Sequence, residues 1–272
     1  MTGVLCKLHL SKSGYYNYLH RKPSKQSISK KNRMQAIQTI YDNNHQIYGA
    51  PKIAKEMQKK GEKISQRTVG VYMREMGIKA CYIKPYVKTT FDSDFSTKLH
   101  NILKRDFSPS KPNEAWCTDI TYIFTLEGFV YLTSVMDLYS RKIIAWTLSR
   151  TLEVEEVLKC IEMARKHRKT ADPVIIHSDR GVHYTSKLYK KLTAGLILSY
   201  SKKGTPWDNA CIESFHSVIK REWLNRTLIY DYDHAYDLCF EYIETFYNTI
   251  RIHSHCGYES PNQYENNYYS KH

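Results

Sequence analysis

Three acidic residues stand where a carboxylate is useful to chemistry and awkward for packing. Asp119 interrupts a β-prone run, Trp116-Cys117-Thr118-Asp119-Ile120-Thr121. Asp179 follows the short apolar run Pro173–His177, and Glu213 lies in the first turns of a helical segment that begins near Asp208. A charge set among strand residues costs several kcal/mol if it is buried without a partner. A divalent cation compensates such a group, and an all-oxygen donor set selects hard ions such as Mg²⁺ or Mn²⁺. Two such ions about 4 Å apart can activate a water or hydroxyl and stabilise the leaving oxygen of a phosphodiester. Strand ends are also where α/β sheets usually carry functional groups.

Two further carboxylates compete for these roles. Asp208, after Gly204-Thr205-Pro206-Trp207, is a rival third ligand, but its place at a helix start reads as an N-cap. Asp137 reads as structural support paired with Arg141. Glu213, His216, Ser217 and Lys220 share one helix face, which sets a carboxylate beside groups able to contact DNA phosphate. Lys202 and Lys203 precede Gly204 in a loop expected to face DNA, and Arg251, with His253, either docks the last helix or contacts DNA. His183 could orient a phosphate or water. His253, His255 and Cys256 lack a second ligand pair at zinc spacing, so no zinc site is expected.

The elements that must position these residues form a β-rich second half. Ala115–Thr125, Phe129–Leu138 and Lys142–Leu148 read as strands. Leu152–His167 reads as an amphipathic helix with Val154, Val157, Leu158, Ile161 and Ala164 as its stripe. A buried strand at Pro173–His177, a helix at Ser186–Thr193, a strand at Ile197–Tyr200, and helices at Asp208–Leu224 and Asp233–Tyr247 complete a mixed α/β layer fold.

The front half is different. Residues 1–105 carry 21 Lys+Arg against 6 Asp+Glu, whereas residues 106–272 carry 20 against 21. This asymmetry points to a nucleic-acid-binding arm joined to a near-neutral domain. Met34, Ile37, Ile40 and Tyr41 recur at helical spacing. Pro51 suits the first turn of a second helix, and Gly61 its C-cap. Ser65 then caps a third helix, Gln66–Met76, with Val69, Tyr72, Met73 and Met76 as its stripe. Helix, turn, helix in a basic setting predicts a helix-turn-helix whose last helix reads double-stranded DNA with Gln66, Arg67 and Thr68. The expected domains are a helical, basic segment at 1–29, the helix-turn-helix at 30–79, a basic linker at 80–114, the catalytic core at 115–230, and a C-terminal helix and tail at 231–272.

Composition excludes several classes. The chain has 272 residues, 42% hydrophobic and 25% charged, with 11 Gly and 8 Pro, which is globular rather than collagen-like or disordered. No apolar run approaches the ~18 residues of a membrane span. No secretory leader is evident. Seven Cys without a C-x-x-C pair argue against a disulfide framework and for a cytoplasmic setting. The 23 Tyr residues lack the Arg/His company a tyrosine recombinase needs.

The segments together resemble the DDE transposases of bacterial insertion sequences, whose core is retroviral-integrase-like. More narrowly they resemble the second-reading-frame (OrfB) product of a family that makes a fused OrfA–OrfB protein. The matching stretches are Ser11–Tyr16, Tyr48-Gly49, Asn113–Tyr122, His177–Ser186, Gly204–Lys220, Tyr247–His253 and Gly257–Pro261, in the family's order along nearly the whole chain. The step of 34 positions from Asp179 to Glu213 is slightly shorter than the family pattern, with the shortening placed near Thr193–Leu198.

This resemblance implies an RNase H-like mixed sheet preceded by the small all-α domain, with Asp119, Asp179 and Glu213 as ligands of Mg²⁺ or Mn²⁺, two ions in number. It implies strand cleavage at the element's terminal repeats and transfer of the freed 3′-hydroxyl to target DNA, with no covalent protein–DNA intermediate. The implied partners are further copies of this chain on DNA and the upstream-frame OrfA product, with no membrane. Two alternatives stay open, a DNA-binding regulator with an inactive core and a nuclease acting on RNA–DNA hybrids.

Overall fold

The computed structural model describes residues 11–81, 99–170, 172–202 and 204–271. The chain divides into two compact units after Ala80. The first is all helical. Helix α1 spans Lys12–Leu19, with the Ser11 hydroxyl accepting from the Gly14 amide. Helix α2 spans Lys25–Asn43 and is capped in the same way by Ser24. Its start lies well before Met34, because its first turns carry no apolar stripe and are set by the cap alone. Helix α3, Ala50–Lys59, has proline in its first turn. Helix α4, Gln66–Glu75, begins where Ser65 accepts from the Thr68 amide. Ile37, Ile40, Ile53, Ala54, Met57, Val69 and Met73 are buried in this unit. Gly61 and Gly77 end α3 and α4 at φ of 87° and 71°, a backbone region that glycine enters without strain.

The second unit is built on a five-stranded sheet in the order β3-β2-β1-β4-β5. The strands are β1 (Ala115–Thr125), β2 (Gly128–Asp137), β3 (Ile143–Ser149), β4 (Ile175–Ser178) and β5 (Ile197–Tyr200). The first three form an antiparallel meander, and β4 and β5 run parallel to β1. Helix α5 (Val154–Arg168) buries Val157, Leu158, Cys160, Ile161 and Ala164 against Trp116, Val135, Ala145 and Ile176. Two short helices, α6 (Val182–Thr185) and α7 (Lys187–Leu192), add Tyr184 and Tyr189 to that core. Helix α8 (Ala210–Glu222) buries Ile212, Phe215 and Ile219. The Phe215 ring meets that of Tyr247 with centroids 4.9 Å apart. This is the expected α/β class.

Four local readings change. The helix expected at Asp233–Tyr247 is α9 (Tyr232–Phe240), which passes into a π-helical stretch, Glu241–Tyr247. The wider turn carries Tyr242, Ile243, Phe246 and Tyr247, all buried. A last helix, α10 (Pro261–Tyr269), buries Glu265. Residues 99–107 are not a free linker: the Tyr200 amide donates to His100 O at 3.0 Å, and the Ile102 and Leu103 amides donate to Ser199 Oγ. Residues 82–98 of the expected linker lie outside the described residues. Asp137 does not pair with Arg141. It accepts from the Asn113 and Tyr139 amides at 2.9 and 3.0 Å and faces Arg168 at 3.8 Å. Arg141, at φ 60°, donates instead to Phe107 O at 2.7 Å and lies 3.0 Å from Cys211 Sγ.

Candidate active site

Register brings two of the three carboxylates together. Cys117 on β1 pairs with His177 at the end of β4, so Asp119 and Asp179 each follow two residues after the last paired position, Asp179 in the turn just past β4. Neighbouring strands lie about 4.8 Å apart. Tyr184 reports the same convergence. Burial pushes its phenol well above the ordinary range, and Asp119 and Asp179 both push it further in the same direction. β4 is held from behind by a buried imidazole. His177 contacts Ser199 Oγ at 2.9 Å and Ser201 Oγ at 3.1 Å. Ser199 Oγ already accepts two backbone amides, so its own proton goes to His177 Nδ1, and Nε2–H donates to Ser201. Burial holds His177 neutral, its pKa lowered to about 4.

Past β4 the chain turns tightly around Asp179. The Gly181 amide donates to Asp179 Oδ1 at 2.8 Å. A Cβ on residue 181 would sit 3.0 Å from that oxygen, so a side chain there would crowd the turn.

The third carboxylate comes from α8. Asn209 Nδ2 donates to Thr118 O at 3.4 Å, fixing the start of α8 beside the residue preceding Asp119. One turn after Glu213, His216 is buried. Its Nδ1 lies 3.4 Å from Asp119 Oδ2 and its Nε2 3.4 Å from Ser134 Oγ. One turn further, Lys220 Nζ sits 4.2 Å above the Tyr122 ring. Burial lowers the Lys220 pKa, and Asp119 partly restores it. Helix α8 and β1 therefore run side by side, and Glu213 and Asp179 are exposed.

The donor set suits a hard cation, being three carboxylates from three elements. Among the described residues, no three His, Cys, Asp or Glu side chains are close enough to enclose an ion as they stand. Asp119 is engaged by His216 and Asp179 by the Gly181 amide.

The other sequence candidates separate. Asp208 is not an N-cap: α8 begins at Asn209 without a side-chain cap. Asp208 is buried and accepts from the Lys202 amide, Asn101 Nδ2, Thr205 Oγ1 and Arg105 Nε at 2.9, 2.9, 3.1 and 2.5 Å. Burial alone would raise its pKa, but the Lys202 amide and Arg105 hold it below the ordinary range. It thus pins the loop before α8 to the segment over β5. Lys202 is exposed, and Lys203 lies outside the described residues.

Arg251 cannot serve as a DNA contact as placed. It is buried and bidentate to Glu222 at 2.7 and 2.7 Å, and Tyr242 donates to the same carboxylate. His216 likewise faces Asp119, not solvent. His183 contacts Leu152 O at 3.1 Å, and His255 contacts Tyr139 O at 3.0 Å. In the helical unit Gln66 and Arg67 are exposed at the start of α4, while the Thr68 hydroxyl lies 2.9 Å from Ser65 Oγ within the cap. The roles of His216 and Asp208 were missed from sequence. For His216 the signal was there, its place one turn from Glu213 on the same face.

Residues 109–206 and 194–261 match the family description Integrase core domain, and residues 29–86 match that of an HTH-like domain. The chain is 34% identical over 249 residues to the transposase for insertion sequence element IS904 of Lactococcus lactis subsp. lactis (strain IL1403), covering 91% of this chain and 98% of that one. It is 33% identical over 268 residues to transposase InsF for insertion sequence IS3A of Escherichia coli (strain K12), covering 97% and 93%. Among solved structures it is similar to the HTLV-2 integrase catalytic core domain in complex with magnesium, at 17% identity and TM-score 0.43, covering 57% of this chain and 98% of that one.

Proposed function

This chain belongs to the insertion-sequence transposases with an integrase core, and on that premise we propose that Asp119, Asp179 and Glu213 are its catalytic carboxylates. The observation that carries the proposal is that the β1–β4 register sets Asp119 beside the turn after β4 that holds Asp179, while His216, one turn from Glu213, touches Asp119. The substrate is the DNA at the element's ends, and the reaction is hydrolysis of a phosphodiester followed by attack of the freed 3′-hydroxyl on target DNA. The three carboxylates are the oxygen donors for Mg²⁺ or Mn²⁺, two ions in number, which when bound supply activation of the nucleophile and stabilisation of the leaving oxygen.

The protein's own groups do the positioning. His216 fixes the rotamer of Asp119, and the Gly181 amide fixes that of Asp179. Asn209 anchors the start of α8, so that Glu213 is presented from a helix tied to β1. Asp208 holds the Lys202 amide and the Thr205 hydroxyl ahead of α8, with the exposed Lys202 side chain available to DNA. The helix-turn-helix carries double-stranded DNA on α4, with Gln66 and Arg67 toward base edges. Two element ends have to be held together, so the active form is a multimer on DNA, and the upstream-frame OrfA product is its partner. Among the described residues no helix is long and apolar enough to cross a membrane, and the site of action is the cytoplasm where the DNA lies.

The test is cleavage and joining of a plasmid carrying the element's ends, with Mg²⁺, Mn²⁺ or EDTA. Wild type is expected to nick the ends only with metal, and Asp119→Asn, Asp179→Asn and Glu213→Gln each to lower the rate at least about a thousandfold, some 4 kcal/mol of barrier. Cleavage at the wild-type rate by any one folded variant would remove that carboxylate from the site. If the chain alone is inactive, the OrfA-fused form is assayed in the same way.

A further inference from the structure

Beyond Asp119, β1 runs into a hairpin that exposes rings where a soluble domain would bury them. Tyr122 is 51% exposed, Phe124 62% and Phe129 52%. The three form one cluster. Phe129 stands edge-on to Tyr122 at 5.4 Å and to Phe124 at 5.5 Å between ring centroids. Clustered apolar exposure of this kind usually marks a binding surface.

The hairpin is also held in a fixed shape. Thr125 Oγ1 donates to Gly128 O at 2.8 Å and accepts from the Glu127 amide at 3.2 Å. At the tip, the Leu126 amide donates to Ile229 O at 3.0 Å. The rings are therefore presented by a rigid turn and need little ordering to bind.

Position and charge select the occupant. The cluster is continuous with the candidate active site through Lys220, which lies over Tyr122 and within the influence of Asp119. From Asp119 to Phe124 is about 17 Å of strand, and because side chains alternate along β1 the rings share the face opposite Asp119, with Lys220 of α8 joining the two. A protein face would have to cover Lys220 and bury its charge. A nucleic-acid strand instead offers bases to the rings and phosphate to the ammonium, the pairing used by single-strand binders.

We infer that Tyr122, Phe124 and Phe129 form a stacking platform for unpaired nucleobases of the DNA strand that enters the Asp119 site. This rests on the reading of that site as the DNA-cleaving centre. The platform captures bases that unpair at an element end, and so holds the strand at a fixed distance from the carboxylates.

The experiment uses the full chain in EDTA, so that binding is read without cleavage. The probes are two duplexes of one sequence, one fully paired and one with its terminal bases unpaired and labelled with 2-aminopurine. Phe124→Leu with Phe129→Leu removes both rings and keeps apolar bulk at exposed positions, and Phe124→Trp retains a ring. The double variant is expected to bind the unpaired end at least about tenfold more weakly, to lose 2-aminopurine quenching, and to bind the paired duplex within about twofold of wild type. Phe124→Trp is expected to keep both signals. Equal weakening on both duplexes, unchanged binding to the unpaired end, or a change of oligomeric state without DNA would each overturn the platform. Failure of the active-site reading appears separately, as cleavage retained by Asp119→Asn.

Discussion

Asp137, paired in register with Trp116 near the start of β1, is closed inside the protein, whereas Asp119, three residues along β1, keeps 20% of its side chain exposed. Around Asp137 every charge has an assigned partner. Arg168 lies between Asp137 and Glu265, donating to both Glu265 oxygens, and the Ser140 hydroxyl donates to Glu265 Oε2 at 3.0 Å. Glu222, Arg251 and Tyr242 repeat the pattern at the end of α8. Around Asp119 the setting is more open: the register sets Asp179 beside it, Glu213 lies one turn from its His216 contact, and Asp179 and Glu213 are exposed. The difference separates two uses of charge. A buried carboxylate whose oxygens are all engaged holds elements together. A carboxylate left partly open to solvent adds little to packing and stays available to bind a ligand.

Charge removal should therefore act oppositely in the two places. Neutralising Asp119, Asp179 or Glu213 should cost activity and leave the unfolding free energy within about 0.5 kcal/mol of wild type, as surface substitutions do. Arg168→Ala leaves Glu265 and Asp137 buried without their cation, and should destabilise by about 3–5 kcal/mol. Denaturant unfolding of the four variants checks both statements, and an Arg168→Ala protein as stable as Asp119→Asn would erase the distinction.

A smaller effect tests the support behind Asp179. His177 is fully buried and its pKa is lowered to about 4. The folded state therefore disfavours the charged imidazole. The stability tied to its neutral form is complete above the unfolded pKa near 6.5 and is lost as pH falls toward 4, by about 3 kcal/mol at most. Asp137 titrates with the other sign. Burial raises it to about 6 against the pull of Arg168. Its contribution is present below about 4 and lost as pH rises through 6. Comparing wild type with His177→Gln at pH 7 and 4.5 cancels the Asp137 part. Wild type should lose more stability than the variant on acidification, and equal losses would place His177 outside the titrating set.

How much could be read beforehand follows from the range of each interaction. Ser65, Gly61 and Pro51 mark the ends of α3 and α4 because caps act within a few residues. The stripes of α4 and α5 were legible for the same reason, as was the change from helical to strand period near 115. The carboxylates could be singled out because a charge in or beside a strand run is conspicuous. Their relative placement could not, since it depends on β1–β4 register, which no local pattern specifies. Asp208 was misread because its location suggests a cap, while its partners Asn101 and Arg105 come from about a hundred residues away. Arg251, a candidate DNA contact or a dock for the last helix, could not be resolved because nothing near it in sequence announces Glu222. The start of α2 was missed because two solvated basic turns carry no periodicity.

The most direct test of the central claim replaces one hard ligand by a soft one. Asp119→Cys puts a thiolate where a carboxylate is proposed to meet the metal, and thiolates favour softer ions over Mg²⁺. The account predicts that this variant fails to cleave element ends with Mg²⁺ and regains cleavage when Mn²⁺ or Cd²⁺ is supplied. Cleavage by Asp119→Cys at the wild-type rate with Mg²⁺ would contradict it, since Asp119 would then touch no metal.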